Sequence, residues 1–532
     1  MDERTPLLQN QSHRLSHNRL LIIFPALALI QFTSFLDQTA IATSLPAIAS
    51  ALNTGASISL VGVSFLVTST SIQLINGRLS DIFGRKLCLA VALSIMGLGN
   101  LLSGFCTTPA RLFASRAFTG FGAGAINALV QIGIADITTL EQRGKYFGMV
   151  GIAVAMGNGL GPAIGGFLTQ AAGWQWSFWF VCPLTAIAIV YLLLVWPESP
   201  PTLSKQGTWD KLKLVDWVGA GTSLVAIACF LIPVSQGPSA LSWGSPVLVS
   251  MLLGSGVLFS IFCLVEFRLA KLPMLPLHLF QYGQSTNILI FSNISIGWIF
   301  WGNLFITPLY LQNIRGLNPG QAGLFILPMV IAHGLTSALS GIIISACGHY
   351  KHVIVAGAFC WAIAAIAKLH FHELTPTWIF MTVCIFDGIG VGCALQPVLV
   401  GLFAGSHTKD RAVLTGLRNF LRDLGGAVGT AVSGAILSNV LFSELRNKFD
   451  LDLIAQLTSS AFELRYLNLS DEERQLVSNA YMNGIHLVFL SYTVLIGLHL
   501  FACLSIEDYG LSQRKQQENG EEAIRENGES EQ

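Results

Sequence analysis

The sequence predicts an all-α polytopic membrane protein, and three observations carry that prediction. Charged residues make up 11% of the 532-residue chain, against about 25% in soluble domains, and the mean hydropathy is +0.62. Fourteen apolar runs approach the ~20 residues that cross a bilayer as a helix. The runs are continuous, whereas strands of a membrane barrel alternate over about ten residues. Helices are therefore expected, because a helix satisfies its own backbone hydrogen bonds in lipid.

The apolar runs follow one another along nearly the whole chain. Their approximate limits are 20–43, 57–76, 87–106, 112–134, 146–170, 176–196, 214–234, 246–266, 286–311, 321–346, 353–370, 377–404, 412–440 and 484–506. Residues 1–19 are too polar for a cleaved signal peptide and predict a short tail. Residues 507–532 are rich in Glu, Gln, Asn and Gly, which favours a disordered tail.

The basic residues predict the orientation of the chain. With the N-terminus in the cytosol, 19 of the 29 basic residues fall in cytosolic segments and six on the opposite side. Such a bias is typical of membrane proteins, and an even number of spans also places the C-terminus in the cytosol. The longest connection on the other side, 441–483, contains an amphipathic helical stretch and a glycosylation sequon at Asn468.

Composition and motif content exclude several classes of function. The 29 basic residues balance 29 acidic ones, so no overall charge attracts nucleic acid. The ten cysteines contain no Cys-x-x-Cys pair, and the histidines have no metal-ligand spacing. The sequence motifs of zinc proteases, serine hydrolases and phosphate-binding loops do not occur. We therefore expect no catalytic residues, no disulfide framework, no metal and no cofactor. Without an ATP-binding motif, any pumping must draw on an ion gradient.

Ionisable residues inside the predicted spans are the first candidates for function, because a charge in lipid costs about 2.5–3.5 kcal/mol or more. Asp37 lies among polar residues in the first span. A carboxyl group there can hold either a proton or a cationic substrate. Alternatively, Asp37 forms a structural salt bridge, with Arg116 of the fourth span as partner. Arg116 itself is compatible with proton coupling or with packing.

A second group of candidates lies late in the chain. Asp387 belongs to the twelfth span and is a further candidate for proton or substrate coupling, while Lys368 ends the eleventh. The thirteenth span carries a predicted charge network of Arg418, Arg422 and Asp423. The two arginines are four residues apart and share a helix face, with Asp387 as the expected partner. The alternative is a structural network without a role in transport.

Two glycine-containing motifs predict moving parts. Residues 77–86 (GRLSDIFGRK) join the second and third spans, and their charges can form a clasp at a cytosolic gate or only set topology. The gating residues are Gly77, Arg78, Asp81, Gly84, Arg85 and Lys86. In the fifth span, glycines four residues apart allow another helix to approach closely, and a proline adds a local bend. This motif comprises Gly157, Gly161, Pro162 and Gly165.

Together these motifs resemble the major facilitator superfamily, in particular its fourteen-span drug:proton antiporter branch. GRLSDIFGRK is similar to the signature between helices two and three, RAFTGFGAGA to that of helix four, and GNGLGPAIGG to the antiporter signature of helix five. LDQTAIATSLPAI is similar to the first-helix signature, with Asp37 at its acidic position. The resemblance implies a six-helix bundle in 20–196, a linker with two inserted helices in 197–285, and a second six-helix bundle in 286–506. Rocking of the bundles would alternate access to a central cavity.

The N-terminal residues ERTPLL match an acidic dileucine sorting signal, carried by Glu3, Leu7 and Leu8. Together with the branch, this motif resembles fungal vacuolar amino acid transporters, including those for basic amino acids. The resemblance implies that amino acids move from cytosol to vacuole in exchange for protons, and that a sorting adaptor binds the N-terminus. A plasma-membrane exporter of drugs or toxins is the second hypothesis. A nutrient receptor that does not transport is the third.

Overall fold

The computed structural model describes residues 17–52, 58, 60–196, 215–236, 244–269, 273–317, 319–407, 410–449, 454 and 470–510. The predicted sorting signal at Glu3, Leu7 and Leu8 and the sequon at Asn468 lie outside these ranges. Within them, 14 helices are long and apolar enough to cross a membrane, which confirms the predicted all-α architecture.

We number these helices α1 to α14 in chain order. They are α1 His17–Ala40, α2 Leu60–Phe83, α3 Arg85–Gly104, α4 Pro109–Ile137, α5 Leu140–Ala172, α6 Val181–Val195, α7 Trp217–Gln236, α8 Pro246–Arg268, α9 Gln284–Leu309, α10 Pro319–Cys347, α11 Lys351–Lys368, α12 Thr377–Ala404, α13 Arg411–Leu445 and α14 Asp471–Leu504. A short helix, Trp176–Trp179, leads into α6, and a π-helical turn, Tyr310–Ile314, extends α9.

Two helix boundaries differ clearly from the predicted ones. α2 continues to Phe83, seven residues beyond its predicted end. α14 begins at Asp471, well before the predicted residue 484, because Ser470 and Glu473 form a reciprocal capping box at its N-terminus. Since α13 runs to Leu445, the connection between the last two helices is shorter than the predicted 441–483.

The same packing pattern occurs in helices α1–α6 and in helices α9–α14. In the first group α1 packs against α5 and α2 against α4, and in the second α9 packs against α13 and α10 against α12. Likewise α3 packs against α4 and α6 in the first group, and α11 packs against α12 and α14 in the second. We call the two groups the N-half and the C-half. The halves meet where α5 packs against α10 and α2 against α13.

The two additional helices form a hairpin at the edge of the molecule. α7 and α8 pack against each other, and α7 also contacts α2 and α13. α8 presents many apolar side chains outward, with Leu253 68% exposed and Val257 60% exposed. A continuous apolar surface of this kind is compatible with lipid as the surrounding solvent.

The contacts between the halves concentrate at one end of the molecule. We call this end the α2–α3 face, after the helix connection that lies there, and the opposite end the α1–α2 face. In α13, residues 411–423 are all buried, whereas beyond Ala431 burial follows one helix side, at Ser433, Leu437, Leu441 and Leu445. α4 runs in the opposite direction, and its later residues 122–135, which approach the α2–α3 face, are all buried. The halves are therefore closed against each other toward the α2–α3 face.

Candidate functional site

The first buried charge pair lies in the N-half. Asp37 of α1 is 0% exposed and Arg116 of α4 is 1% exposed. Arg116 Nη1 lies 3.5 Å from Asp37 Oδ2 and donates a second hydrogen bond to Asn100 Oδ1 of α3 at 3.4 Å. Asp37 Oδ1 is buried without a hydrogen-bond partner among the described residues. The structure thus brings together the two residues that the sequence offered as a salt bridge, and leaves one carboxylate oxygen available for a proton.

Aromatic rings enclose this pair. The Arg116 guanidinium lies 4.5 Å from the centre of the Phe65 ring and 5.7 Å from that of Phe178. Both distances fall within the range of a cation–π interaction. The rings exclude water from the arginine, which strengthens its attraction to Asp37 in a medium of low dielectric constant.

A second buried charge pair lies in the C-half and corrects one sequence prediction. Asp387 forms an ion pair with Lys368, the last residue of α11, and not with the α13 arginines. Trp361 Nε1 donates to Asp387 Oδ1 at 2.8 Å. Lys368 Nζ also donates to Asn303 Oδ1 of α9 at 2.8 Å. Because α11 and α12 pack closely, Lys368 at the end of α11 lies beside Asp387. Lys368 therefore compensates the charge of Asp387, and the α13 arginines are not needed for it.

The two pairs occupy corresponding helices of the two halves. Each combines one acid, one base and one asparagine on the first, third and fourth helices of its half. In the N-half the order along these helices is Asp37, Asn100 and Arg116, and in the C-half it is Asn303, Lys368 and Asp387. The residue types are exchanged between helices, so sequence comparison of the halves does not reveal the correspondence.

A third charge cluster lies at the α2–α3 face. Arg85 Nη1 binds Asp81 Oδ1 at 2.7 Å, and Arg85 Nε binds Asp136 Oδ2 at 2.9 Å. Arg85 also donates to Ser80 Oγ at 2.6 Å. The predicted clasp of Asp81 and Arg85 is present and ties α2, α3 and α4 together within the N-half. Asp136, near the end of α4, completes it. Its position in the sequence indicated only an interfacial charge.

The segment predicted as a gating loop is almost entirely helical. Residues 77–83 form the last turns of α2, and Gly84, with φ of +90°, alone separates α2 from α3. Gly84 is needed there because L side chains rarely adopt this backbone conformation. Ser80 and Asp81 lie inside α2 and do not cap α3, whose N-cap is Gly84.

Two other residues of this motif contact neighbouring elements. Arg78 Nε donates to the carbonyl oxygen of Pro273, in the segment that follows α8, at 2.9 Å. A Cβ atom on Gly77 would lie 2.9 Å from the carbonyl oxygen of Ala412 in α13. Gly77 therefore allows α2 and α13 to touch across the halves. Lys86 is half-buried, and no contact among the described residues brings it into the clasp.

The glycine motif of α5 packs against α1, as the spacing predicted. A Cβ on Gly157 would lie 2.9 Å from the carbonyl oxygen of Phe32, and one on Gly165 would overlap the backbone of Ala40. Gly161 faces Thr39. Thr43 Oγ1 donates to the carbonyl oxygen of Pro162 at 3.0 Å, and α5 continues through this proline.

A polar network joins the two halves near their centre. Gln73 of α2 donates to Asp423 Oδ2 at 2.7 Å, and Arg422 Nε donates to Asp423 Oδ1 at 3.1 Å. Asn419 donates to Gln131 Oε1 of α4 at 3.2 Å. Arg422 and Asp423 therefore form a pair of their own, and the predicted α13 network extends to the N-half. Gln73 and Gln131 were missed from sequence, because a single neutral amide in a span gives no signal.

These observations match a large transporter family. The family model described as Major Facilitator Superfamily matches residues 27–429. The chain belongs to the Major Facilitator Superfamily. This membership confirms the resemblance of the motifs, and members of this superfamily are transporters and not enzymes.

Relatives within the superfamily differ in substrate. The chain is 35% identical over 506 residues to "Citrate exporter 1" of Yarrowia lipolytica, which covers 95% of this chain and 74% of the relative. It is 28% identical over 473 residues to "Vacuolar membrane amino acid uptake transporter fnx2" of Schizosaccharomyces pombe, with coverage of 88% and 81%. It is also 28% identical over 494 residues to "Efflux pump dotC" of Dothistroma septosporum, with coverage of 91% and 84%.

Solved structures share the fold. The proton:xylose symporter XylE superposes with a TM-score of 0.61 at 14% identity, covering 93% of this chain and 98% of XylE. The human organic anion transporter MFSD10 gives a TM-score of 0.55 at 15% identity, with coverage of 91% and 99%. The chain is thus a multi-pass membrane transporter for a small molecule, built on the superfamily fold.

Proposed function

We propose that this transporter is a proton-coupled antiporter of the vacuolar membrane that moves amino acids, including basic ones, from the cytosol into the vacuole. The observation that carries the proposal is the buried Asp37–Arg116 pair, in which Asp37 Oδ1 has no hydrogen-bond partner among the described residues. The relative named as a vacuolar amino acid uptake transporter supports the location and the substrate.

Protonation of Asp37 changes the balance of forces in the N-half. The carboxylate binds Arg116 while it is charged, and a proton on Asp37 removes that attraction. Arg116 then keeps its hydrogen bond to Asn100 and its contacts with Phe65 and Phe178. Because Asp37 and Arg116 belong to α1 and α4, gain or loss of the proton alters the contact between these two helices. This is how proton binding would bias the two halves toward one orientation.

The predicted orientation gives the direction of exchange. With the N-terminus in the cytosol, the α2–α3 face is cytosolic, and the conformation described here is closed toward the cytosol. Asp37 lies near the end of α1 that approaches the α1–α2 face. An acidic lumen would protonate it from that side. Release of the proton to the neutral cytosol would then leave a carboxylate able to attract a cationic amino acid.

Transport into isolated vacuolar vesicles tests the proposal. Lysine and histidine uptake should require an acidic lumen and should stop when an ionophore collapses the pH gradient. Uptake that continues unchanged without the gradient would refute proton coupling. A complete lack of amino acid uptake, with the protein present in the vesicles, would refute the substrate assignment.

The proposed location has its own test. Replacement of both leucines, Leu7→Ala and Leu8→Ala, should redirect a fluorescently tagged protein from the vacuolar membrane to the plasma membrane. A matched control replaces Leu15 by Ala, outside the dileucine motif. A plasma-membrane signal from the unmodified protein, unaffected by these changes, would contradict the vacuolar proposal.

Export across the plasma membrane is the second candidate, and it is supported by the citrate exporter and the efflux pump among the relatives. The same alternating cycle would move an organic acid or a drug out of the cell. Cells that lack the protein would then accumulate the exported compound in the cytosol, and vacuolar vesicles would show no proton-dependent uptake.

A further inference from the structure

Arg418 is a buried arginine of α13 whose hydrogen-bond partners among the described residues are all neutral. It is 0% exposed. Its guanidinium donates to the carbonyl oxygen of Leu395, to Asn419 Oδ1 at 2.9 Å and to Gln131 Oε1 at 3.4 Å. Its Nε is buried without a hydrogen-bond partner among the described residues. A buried charge without an opposite charge is strongly unfavourable, so this arrangement calls for an explanation.

The carboxylates near the middle of the bundle are already engaged. In the described spans, Asp37 pairs with Arg116, Asp387 with Lys368 and Asp423 with Arg422. Asp423 in addition accepts a hydrogen bond from Gln73. No carboxylate of a described residue lies within salt-bridge distance of Arg418. Asp423 attracts it only from beyond that distance, and Arg422 repels it. No salt bridge among the described residues therefore compensates the charge of Arg418.

The position of Arg418 connects it to the transport cycle. Gln131 belongs to α4 of the N-half, whereas Leu395 and Asn419 belong to the C-half. When the halves separate at the α2–α3 face, Arg418 loses Gln131 and keeps its other partners. The orientation open toward the α2–α3 face would thus expose a cation with free donors, and the closed orientation covers it.

Two further polar atoms are unsatisfied elsewhere along the contact between the halves. Gln396 Oε1, next to Leu395, and Ser337 Oγ are buried without hydrogen-bond partners among the described residues. A Cβ on Gly151 of α5 would lie close to Ser337 and 3.7 Å from Gln396 Cγ, so these atoms lie where the N-half meets the C-half. They offer hydrogen bonds to a polar ligand that enters between the halves.

We propose that Arg418 binds a carboxylate group of the transported solute. A guanidinium presents paired N–H donors that match the two oxygens of a carboxylate, and a bound carboxylate supplies a compensating negative charge. The proposal rests on the proposed transport function and narrows its substrate class to solutes with at least one carboxylate. Amino acids and organic acids both belong to this class, whereas amines without a carboxylate do not.

Ligand-induced thermal stabilisation of the purified full-length protein tests the proposal without relying on transport. Lysine, glutamate and citrate serve as carboxylate probes, and cadaverine, which is lysine without its carboxylate, is the matched control. At least one carboxylate probe should raise the melting temperature, and cadaverine should not. Arg418→Gln should weaken the carboxylate affinity by about tenfold to a hundredfold, the range expected for charge-assisted hydrogen bonds.

Four further variants separate binding from folding. Arg418→Lys keeps the charge and should retain part of the affinity, whereas Arg446→Gln, at the exposed residue that follows α13, should retain all of it. Gln131→Leu removes a competitor for the guanidinium and should increase the affinity. Asp37→Asn should abolish proton-driven exchange, whereas stabilisation by citrate, which has no amino group for Asp37 to attract, should still depend on Arg418. Failure of proton coupling is therefore distinguishable from failure of this proposal.

Three results would overturn the role of Arg418. One is carboxylate stabilisation that is equal in the wild-type protein, Arg418→Gln and Gln131→Leu. The second is that cadaverine stabilises the protein as well as lysine does. The third is that none of the three carboxylate probes stabilises it.

Discussion

Apart from Arg418, the charges discussed near the middle of this transporter form separate pairs, each between two helices or between neighbouring residues. Asp37–Arg116 and Lys368–Asp387 join helices within a half, while Arg422–Asp423 lies on α13 alone. Removing one partner of such a pair leaves the other charge buried and uncompensated, which costs more than the pair itself contributes. We therefore expect a mutation in one pair to affect the protein through the charge that it leaves unpaired.

Asp37→Asn should reduce proton-driven exchange to less than a tenth of the wild-type rate. The amide keeps a similar shape and hydrogen-bonding capacity but cannot carry the proton. Uptake of labelled lysine into vesicles with an acidic lumen measures the effect. Glu444→Gln, an exposed carboxylate on α13, is the control and should transport normally. Normal uptake by Asp37→Asn, with the protein in its membrane, would remove Asp37 from the mechanism.

Lys368 and Asp387 should behave as one unit. Lys368→Met and Asp387→Asn should each destabilise the protein by about 3–5 kcal/mol, because each leaves one buried charge without its partner. The double variant should recover part of this loss, since it removes both charges. Thermal unfolding of the purified variants measures the coupling. Strictly additive losses would show that the two side chains do not interact.

At the scale of helices, α5 carries two glycine surfaces with different partners. Gly157, Gly161 and Gly165 pack against α1, within the N-half. Gly144 and Gly148 pack against α10, in the C-half. Small residues let helix backbones approach closely in lipid, where burial of apolar surface contributes little to association. The first surface holds a half together, and the second lies in the contact between the halves, which alternating access would open.

Gly341→Ala should disfavour the conformation closed at the α2–α3 face. The added methyl group would overlap the carbonyl oxygen of Gly144 and lie 3.2 Å from Gly148 Cα. Gly323→Ala, in the same helix with open space around it, is the matched control. Ala412, 3% exposed at the closed interface, provides the probe site. A cysteine introduced by Ala412→Cys should react several times faster with a membrane-impermeant maleimide in the Gly341→Ala protein than in the Gly323→Ala protein. Both proteins lack the exposed native cysteines.

Equal labelling in the Gly341→Ala and Gly323→Ala proteins would contradict the assignment of this glycine contact to the closed conformation. It would mean that the helices α5 and α10 adjust locally to the methyl group. In that case the glycines serve packing alone.

Asp81→Ala should slow the transport cycle more than it weakens substrate binding. Arg85 would lose one of its two carboxylate partners, and the joint between α2, α3 and α4 would loosen. The maximal rate should fall severalfold, while the half-saturating substrate concentration should stay nearly constant. Glu507→Ala, an exposed carboxylate at the same face, is the control. An unchanged maximal rate would exclude Asp81 from gating.

At the scale of the whole molecule, the charge exchanged in one cycle decides which gradient drives transport. One pH unit supplies about 1.4 kcal/mol per proton, and 100 mV supplies about 2.3 kcal/mol per elementary charge. If one proton exchanges for one singly charged cation, no net charge crosses the membrane. The membrane potential then contributes nothing, and a difference of one pH unit sustains at most about a tenfold concentration ratio.

Lysine accumulation in vesicles should therefore follow the pH gradient alone. An electroneutral proton–potassium exchanger should abolish accumulation, whereas a potassium ionophore that changes only the potential should leave it intact. Accumulation that responds strongly to the potential would show a different stoichiometry or the movement of a neutral or anionic form.

The sequence by itself determined the number and positions of the fourteen spans, because helices in lipid require long apolar segments and few other structures are possible there. It also singled out Asp37, Arg116 and the α13 charges, since ionisable residues in spans are conspicuous. The pairing of Asp37 with Arg116 was one of the alternatives that followed from their opposite charges. The clasp was one of the alternatives that followed from the cations Arg78, Arg85 and Lys86 on either side of Asp81, and only the structure singled out Arg85.

Only the tertiary structure decided which charges meet. Asp387 pairs with Lys368 and not with Arg418 or Arg422, and Gln73 and Gln131 reach α13 from the other half. These contacts depend on the rotation of each helix about its axis and on the packing of the two halves. A span that is apolar on nearly every side carries little periodic signal for that rotation, because lipid and a neighbouring helix are both apolar surroundings.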